Sequence, residues 1–244
     1  MVDTFMSRNN YFQFKQFRII QEHSAMKVGV DGVLLGAWAD TTNAEQILDI
    51  GTGTGLIALM MAQRNSLARI DAIEVDPKAF QEAMLNIQQS PWSDRIQPEM
   101  CPFQDFAEQT SMKYDLIVSN PPFFANGIKA PLENRAQARH TDSLPLDVLI
   151  SEAANLLGKN GKIAIVHPVE SLQEIQQLAI SNKLWISRIC RVKPNPLKPD
   201  FRVLVELTNT ECATKEENLM IEFENHFDYT PEYKELTKDF YLKF

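Results

Sequence analysis

Residues 46–64 read Gln-Ile-Leu-Asp-Ile, then Gly-Thr-Gly-Thr-Gly, then Leu-Ile-Ala-Leu-Met-Met-Ala-Gln-Arg. A short apolar run, a glycine-rich turn and a second, longer apolar run read as strand, tight loop and helix in direct succession. The glycines at 51, 53 and 55 permit positive φ and let backbone approach a ligand closely. A strand that feeds a helix in this way opens a β-α-β unit. Such units build parallel sheets, because parallel neighbours need a long crossover.

The rest of the chain keeps that rhythm. Strands are expected at 46–50, 69–74, 96–100, 114–119, 162–166, 184–192 and 202–207. Helices are expected at 33–39, 56–64, 77–89, 146–157 and 171–182, with Pro77 at a favoured first-turn position and Gly158–Gly161 ending the helix before them. The last two strands are joined by the proline-rich Pro194–Pro199, so they can pair antiparallel. The expected fold is α/β: seven strands, mostly parallel with an antiparallel last strand, and helices on both faces. Three stretches are expected. Residues 1–43 form an extension near the ligand site, with a hairpin in 11–17 and a tight turn at Gly29–Gly32 where Asp31 caps the next helix. Residues 44–210 form the catalytic domain. Residues 211–244 form an acidic strand–helix appendage docked on it.

Ligands bind outside the carboxyl ends of strands in such sheets. The loop is G-x-G-x-G, with Asp49 two residues before Gly51. It departs from the dinucleotide fingerprint G-x-G-x-x-G. An acid there repels a pyrophosphate and favours a cationic ligand, which points to S-adenosylmethionine. Glu74 ends the second strand, nineteen residues after Gly55, where a carboxylate can accept from ribose hydroxyls, with Asp76 as runner-up. In the loop expected after the third strand, Asp105 is expected to accept from the adenine amine, with Phe106 or Phe103 packed on the ring. The cofactor residues are therefore Asp49, Gly51, Gly53, Gly55, Glu74, Asp105 and Phe106.

The fourth strand ends in Ser119-Asn120-Pro121-Pro122-Phe123-Phe124. Asn120 and the Pro121 carbonyl can accept both N–H bonds of a planar NH2 group. The prolines fix φ and stiffen the turn, and Phe123 can stack on a ring. Asn120, Pro121, Pro122 and Phe123 form the expected catalytic turn. These features together resemble the class I S-adenosylmethionine-dependent methyltransferases over about residues 46–207, and imply their Rossmann-like fold. Asn120–Phe123 resembles the [N/D/S]PP[Y/F/W] motif of the amino-methyltransferases within that class. The segments MKVGVDGVLLGAWA, SNPPFF, Asn134–His140 and Asp239–Leu242 resemble one branch, the bacterial tRNA1(Val) adenine-37 N6-methyltransferase family. That resemblance implies a tRNA anticodon loop as partner and S-adenosylmethionine as cofactor. A protein glutamine N5-methyltransferase, an rRNA guanine N2-methyltransferase and a non-catalytic binding module are the alternatives.

Charge is ambivalent about RNA. The net charge is −8, which disfavours nucleic acid. The segment from Glu211 onward carries nine acids and four bases, whereas Arg188–Arg202 holds Arg188, Arg191, Lys193, Lys198 and Arg202 against one acid, Asp200. Those five, with Arg135, Arg139 and His140 after the catalytic turn, are the candidate RNA contacts. The three cysteines show no CxxC, so no metal is expected. No apolar run is long enough to span a membrane, and the first residues lack a signal-peptide core. A cytoplasmic setting is expected. Nothing in the sequence indicates an oligomeric state.

Overall fold

The computed structural model describes residues 10–24, 26–122 and 144–243. Ten strands and seven helices occur among them, apart from one short 3-10 turn at Val169–Ser171. A hairpin, β1 (Tyr11–Gln13) and β2 (Arg18–Ile20), precedes α1 (Val30–Trp38). Then come β3 (Gln46–Ile50), α2 (Leu56–Arg64), β4 (Arg69–Glu74), α3 (Pro77–Gln88), β5 (Ile96–Met100), α4 (Phe103–Gln109) and β6 (Tyr114–Ser119). After 144 follow α5 (Leu146–Leu156), β7 (Leu157–Pro168), α6 (Leu172–Ser181), β8 (Trp185–Lys193), β9 (Arg202–Thr208), β10 (Lys215–Met220) and α7 (Pro231–Thr237).

The main sheet has eight strands, one more than expected, in the order β10-β8-β9-β7-β6-β3-β4-β5. Only β9 is antiparallel, and it sits between β7 and β8. The added strand is β10, from the acidic segment, parallel to β8 at the edge. Its hydrogen bonds to β8 are backbone bonds, so its polar sequence, Lys-Glu-Glu-Asn-Leu-Met, gives little strand signal. Strand β7 also starts earlier than expected. Leu157 pairs with Tyr114, and a register shift takes up the Gly158–Gly161 segment instead of a loop.

Alternating side chains divide the core between two layers. Ile47, Leu116 and Val118 face α1, α2 and α3, while Leu48, Ile50 and Ile117 face α5 and α6. Strands buried on both faces explain the near-continuous apolar runs. Helix α1 lies very close to α2. A Cβ added at Gly36 would fall 2.5 Å from Met60 Sδ, and one at Gly32 would fall 3.0 Å from Leu56 Cδ2. Helix α1 therefore begins at Val30, with Gly29 as N-cap; Asp31 lies inside its first turn and makes no capping bond. The Gly29–Gly32 turn expected from sequence is instead the first turn of this helix.

Both ends of the described chain pack on one region of the body. Phe14 stacks on Phe17 at 4.6 Å and on Tyr241 at 6.0 Å. The Lys15 amide donates to the Phe240 carbonyl at 2.8 Å. Helix α7 starts from Thr230, whose hydroxyl accepts the Tyr233 amide, with Pro231 in the first turn.

Candidate active site

Because all the strands of the main sheet but β9 run the same way, their carboxyl ends share one edge. A cavity of about 640 Å³ opens there. Its floor is the glycine loop after β3. One wall comes from the ends of β4 and β5, another from the end of β6, and a third from the segment before α1.

The loop has the conformation the glycines permit. Gly51, Gly53 and Gly55 have φ of +68°, +59° and +83°. A Cβ at Gly51 or Gly53 would meet nothing within 4 Å, so these two leave open space on the cavity side. Gly55 differs. It does not line the cavity, and a Cβ there would stand 3.6 Å from the Ala83 Cα, so its role is close packing of the loop on α3.

Asp49 also lies behind the loop and not on the cavity wall. It is fully buried. Its Oδ2 accepts from the Thr52 hydroxyl at 2.6 Å and the Ala58 amide at 3.0 Å, bracing the loop and the start of α2. Its Oδ1 is buried without a hydrogen-bond partner among the described residues. Burial pushes the carboxyl up to about 7, with the nearby Glu74 charge adding to the rise and the two hydrogen bonds opposing it.

Glu74 is on the wall and nearly buried. One carboxylate oxygen accepts from Gly53 N at 2.8 Å; the other accepts from Val75 N and Asp76 N at 2.8 and 2.9 Å. Three of about four lone-pair positions are thus used to fix the carboxylate. The one left, on the oxygen facing Gly53, suits a hydroxyl donor. Asp76 lines the cavity too, but it caps α3 by accepting from Lys78 N at 3.3 Å and Ala79 N at 3.1 Å.

Two further expected cofactor residues, Asp105 and Phe106, also lie off the cavity wall. Residues 103–109 form α4, not a loop, and its period puts Phe103 and Phe106 on one buried face. Phe106 packs toward Tyr114, ring centroids 6.4 Å apart, in the core under the sheet. Asp105 and Phe106 are not on the cavity wall; Phe103 and Gln104 are. Cys101 joins them there, its thiol pushed up to about 12 by burial and by Glu99, so it is a poor nucleophile.

The end of β6 bears Asn120, Pro121 and Pro122, all on the wall. Asn120 Oδ1 is buried and has no hydrogen-bond partner among the described residues. A Cβ at Gly32 would lie 3.8 Å from Asn120 Nδ2, which places the first turn of α1 beside the catalytic turn. An unpaired buried acceptor costs about 1–3 kcal/mol. Such an atom on a cavity wall is suited to a ligand N–H. Phe123, Arg135, Arg139 and His140 lie outside the described residues.

The basic stretch is less available than its composition implies, because three of its arginines are paired within the fold. Arg188 pairs with Glu217 at 3.1 Å and Glu206 at 3.7 Å, and its guanidinium sits 4.1 Å over the Trp38 ring. Arg191 pairs with Glu216 at 2.6 Å. Arg202 pairs with Asp31 at 2.9 Å. These three expected RNA contacts are therefore engaged within the fold. Lys193 ends β8 on the same sheet edge as Asn120, and Lys198 is exposed in the proline-rich loop.

Sequence reasoning set residues 1–43 near the ligand site but singled out no site residue in the wall before α1, which comprises residues 23, 24 and 26–29. Glu82 accepts from His23 N at 2.6 Å, Ser24 N at 3.0 Å and the Ser24 hydroxyl. Asn86 holds both the amide and the carbonyl of Ile20, at 2.8 and 2.9 Å, and also the Thr54 carbonyl of the glycine loop at 2.9 Å. A polar pair four residues apart on α3 was the available signal. Among the described residues no helix is long and apolar enough to cross a membrane, and no group of three His, Cys, Asp or Glu could hold a metal.

The described residues thus offer an open glycine cradle, an anchored carboxylate and an unpaired amide oxygen along one cavity. That donor set fits S-adenosylmethionine beside an amine acceptor. Comparison with known proteins agrees with the geometry. Residues 24–181 match the model of the methyltransferase small domain. The tRNA1(Val) (adenine(37)-N6)-methyltransferase of Trichodesmium erythraeum is 47% identical over 237 residues, covering 96% of this chain and 99% of that protein. The protein of the same name from Parabacteroides distasonis is also 47% identical, with the same coverage. Among solved structures, TYW2 of P. horikoshii in complex with MeSAdo superposes with a TM-score of 0.57 at 14% identity, covering 82% of this chain and 71% of that one. A predicted O-methyltransferase from Agrobacterium tumefaciens reaches 0.63 at 17% identity, covering 86% and 96%. These two show a shared fold, and the full-length relatives show more: the chain belongs to the tRNA1(Val) (adenine(37)-N6)-methyltransferase family.

Proposed function

We propose that this protein transfers a methyl group from S-adenosylmethionine to N6 of adenine 37 in the anticodon loop of tRNA1(Val), in the cytoplasm. The observation that carries the reading is Asn120 Oδ1, a buried acceptor without a partner among the described residues, on the wall of a glycine-floored cavity. When bound, the cofactor supplies an electrophilic methyl carbon on a sulfonium. Glu74 would receive its ribose hydroxyls, and the open space at Gly51 and Gly53 would let it approach the loop closely.

An adenine N6 is a weak nucleophile because its lone pair is delocalised into the ring. Asn120 Oδ1 accepts one N6–H and the Pro121 carbonyl accepts the other. These bonds favour a pyramidal nitrogen, so they are stronger in the transition state than in the ground state. Pro121 and Pro122 hold the acceptors stiffly, and Phe123 stacks on the base. These acceptors would aim the N6 lone pair at the methyl carbon that the bound cofactor would supply, and the proton lost from N6 can pass to water, so no general base is needed. The adenine must leave its stack to enter the cavity, which costs least in a loop. The relatives' shared name supports a tRNA base over a glutamine amide or a guanine.

Of the candidate RNA contacts, Arg135, Arg139, His140, Lys193 and Lys198 are the ones we assign to phosphates. The test is transfer of labelled methyl to unmodified tRNA1(Val) by wild type and by Asn120→Ala. Transfer by wild type and its loss in the variant, with cofactor binding kept, is expected. Equal turnover by the two would remove the role of Asn120.

A further inference from the structure

The wall before α1 carries a group that the proposed chemistry does not yet use. Among the described residues on the cavity wall, the cations are Lys27 and Lys78, with the His23 ring beside them. Lys78 is exposed and adjoins Asp76 at the start of α3, on the side of Glu74. Lys27 is half-buried and lies two residues before the N-cap of α1, the helix that approaches Asn120.

Lys27 is also fixed in place. Its ammonium donates to the Gln21 carbonyl at 2.7 Å, and the Gln21 side chain accepts from Val28 N at 2.7 Å. Gln21 thus ties Lys27 and Val28 back to the start of the strap. Glu82 clamps His23 and Ser24, and Asn86 joins Ile20 to Thr54 of the glycine loop. The strap and the loop are therefore held by a shared brace, with Lys27 on the cavity side. Among the described residues the ammonium makes this one hydrogen bond, to Gln21, which leaves it two further donors.

The direction of the ligand follows from the proposed function, on which this inference rests. With the ribose at Glu74, the base would lie toward Phe103 and Gln104, which line the cavity beyond the end of β5. The amino-acid end would then point the other way, along the glycine loop toward β6 and α1. That end carries a carboxylate, which needs a cation. We propose that Lys27 binds the carboxylate of the cofactor's amino-acid tail, and that the Glu82–Asn86 clamp positions it for this.

Two ligands separate this role from its rivals. S-adenosylhomocysteine has the amino-acid tail; 5′-methylthioadenosine has the same nucleoside and thioether without it. Calorimetric titration of Lys27→Met is expected to show S-adenosylhomocysteine weakened about tenfold or more, the scale of a charge-assisted hydrogen bond. Affinity for 5′-methylthioadenosine should stay within about twofold, and Lys78→Met should leave the ratio of the two affinities unchanged. Equal loss of both ligands in Lys27→Met would make the lysine a structural part of the strap and overturn the proposal. Unchanged S-adenosylhomocysteine affinity, or a selective loss in Lys78→Met, would overturn it too. Wild type that binds neither ligand would overturn the cofactor reading itself, an outcome distinct from failure of Lys27 alone.

Discussion

Replacing Glu74 with glutamine tests the anchored carboxylate. The wild-type side chain accepts three backbone N–H bonds, from Gly53, Val75 and Asp76. Glutamine has one carbonyl oxygen. Kept on the Val75 and Asp76 side, where it satisfies two amides, it puts its NH2 against Gly53 N–H. Two donors then face each other across what was a 2.8 Å bond. A hydrogen bond to a charged group contributes about 1.5–3 kcal/mol. The same loss applies to the ribose hydroxyl that would use the remaining lone pair. At about 1.4 kcal/mol per decade, cofactor affinity should fall roughly tenfold to a hundredfold. Because the ribose is common to both ligands, S-adenosylhomocysteine and 5′-methylthioadenosine should weaken alike. The loss of the Gly53 bond should also lower Tm by roughly 3–12 °C, taking about 2–4 °C per kcal/mol at this chain length. Calorimetric titration and scanning calorimetry measure both. Dissociation constants within twofold of wild type would refute the assignment. A larger loss from Asp76→Asn than from Glu74→Gln would move the ribose contact to Asp76.

Other consequences can be checked as directly. Gly36→Ala places a methyl 2.5 Å from Met60 Sδ in a fully buried contact; overpacking of about 1–3 kcal/mol should lower Tm by several degrees in a thermal melt. Arg188→Met should destabilise the fold by about 1–3 kcal/mol in urea titrations while leaving the salt dependence of the RNA KM unchanged, whereas Lys198→Ala should reduce that dependence. Asp49, raised to about 7, binds a proton more tightly folded than unfolded. Its contribution to stability is therefore full below about pH 4 and lost as pH rises through about 7. A cationic ligand favours the ionised form, so S-adenosylmethionine binding near pH 7 should release protons, read from titrations in buffers of different ionisation enthalpy. The absence of release would separate Asp49 from the cofactor.

The parts of the fold set by local pattern were legible in the sequence. The glycine loop, Glu74 at the end of β4 and Asn120 at the end of β6 follow from period, glycine and proline, and all three reach one cavity. What the sequence hid depends on partners far along the chain. Asp31 reads as a helix cap until Arg202, 171 residues on, is brought beside it. Arg188 and Arg191 read as a basic patch until β10 lays Glu217 and Glu216 next to them. Glu216 and Glu217 thus neutralise two of the five cations of the basic stretch, so that stretch does not describe a free basic surface. Phe106 was lost for a different reason. Treating 103–106 as loop ignored the i, i+3 spacing of two phenylalanines, which is enough to turn both into the core. The strap before α1 was expected near the ligand site, but its wall residues could not be singled out because their clamp, Glu82 and Asn86, lies about sixty residues away on α3.

The central claim is that Asn120 and its proline turn present the N6 of adenine 37 to the methyl donor. Mass spectrometry of nucleosides from unmodified tRNA1(Val), incubated with the protein and S-adenosylmethionine, tests it most directly. The account predicts N6-methyladenosine at position 37, absent from the Asn120→Ala reaction. Methylation at another atom or position, or of a protein glutamine with tRNA untouched, would contradict it.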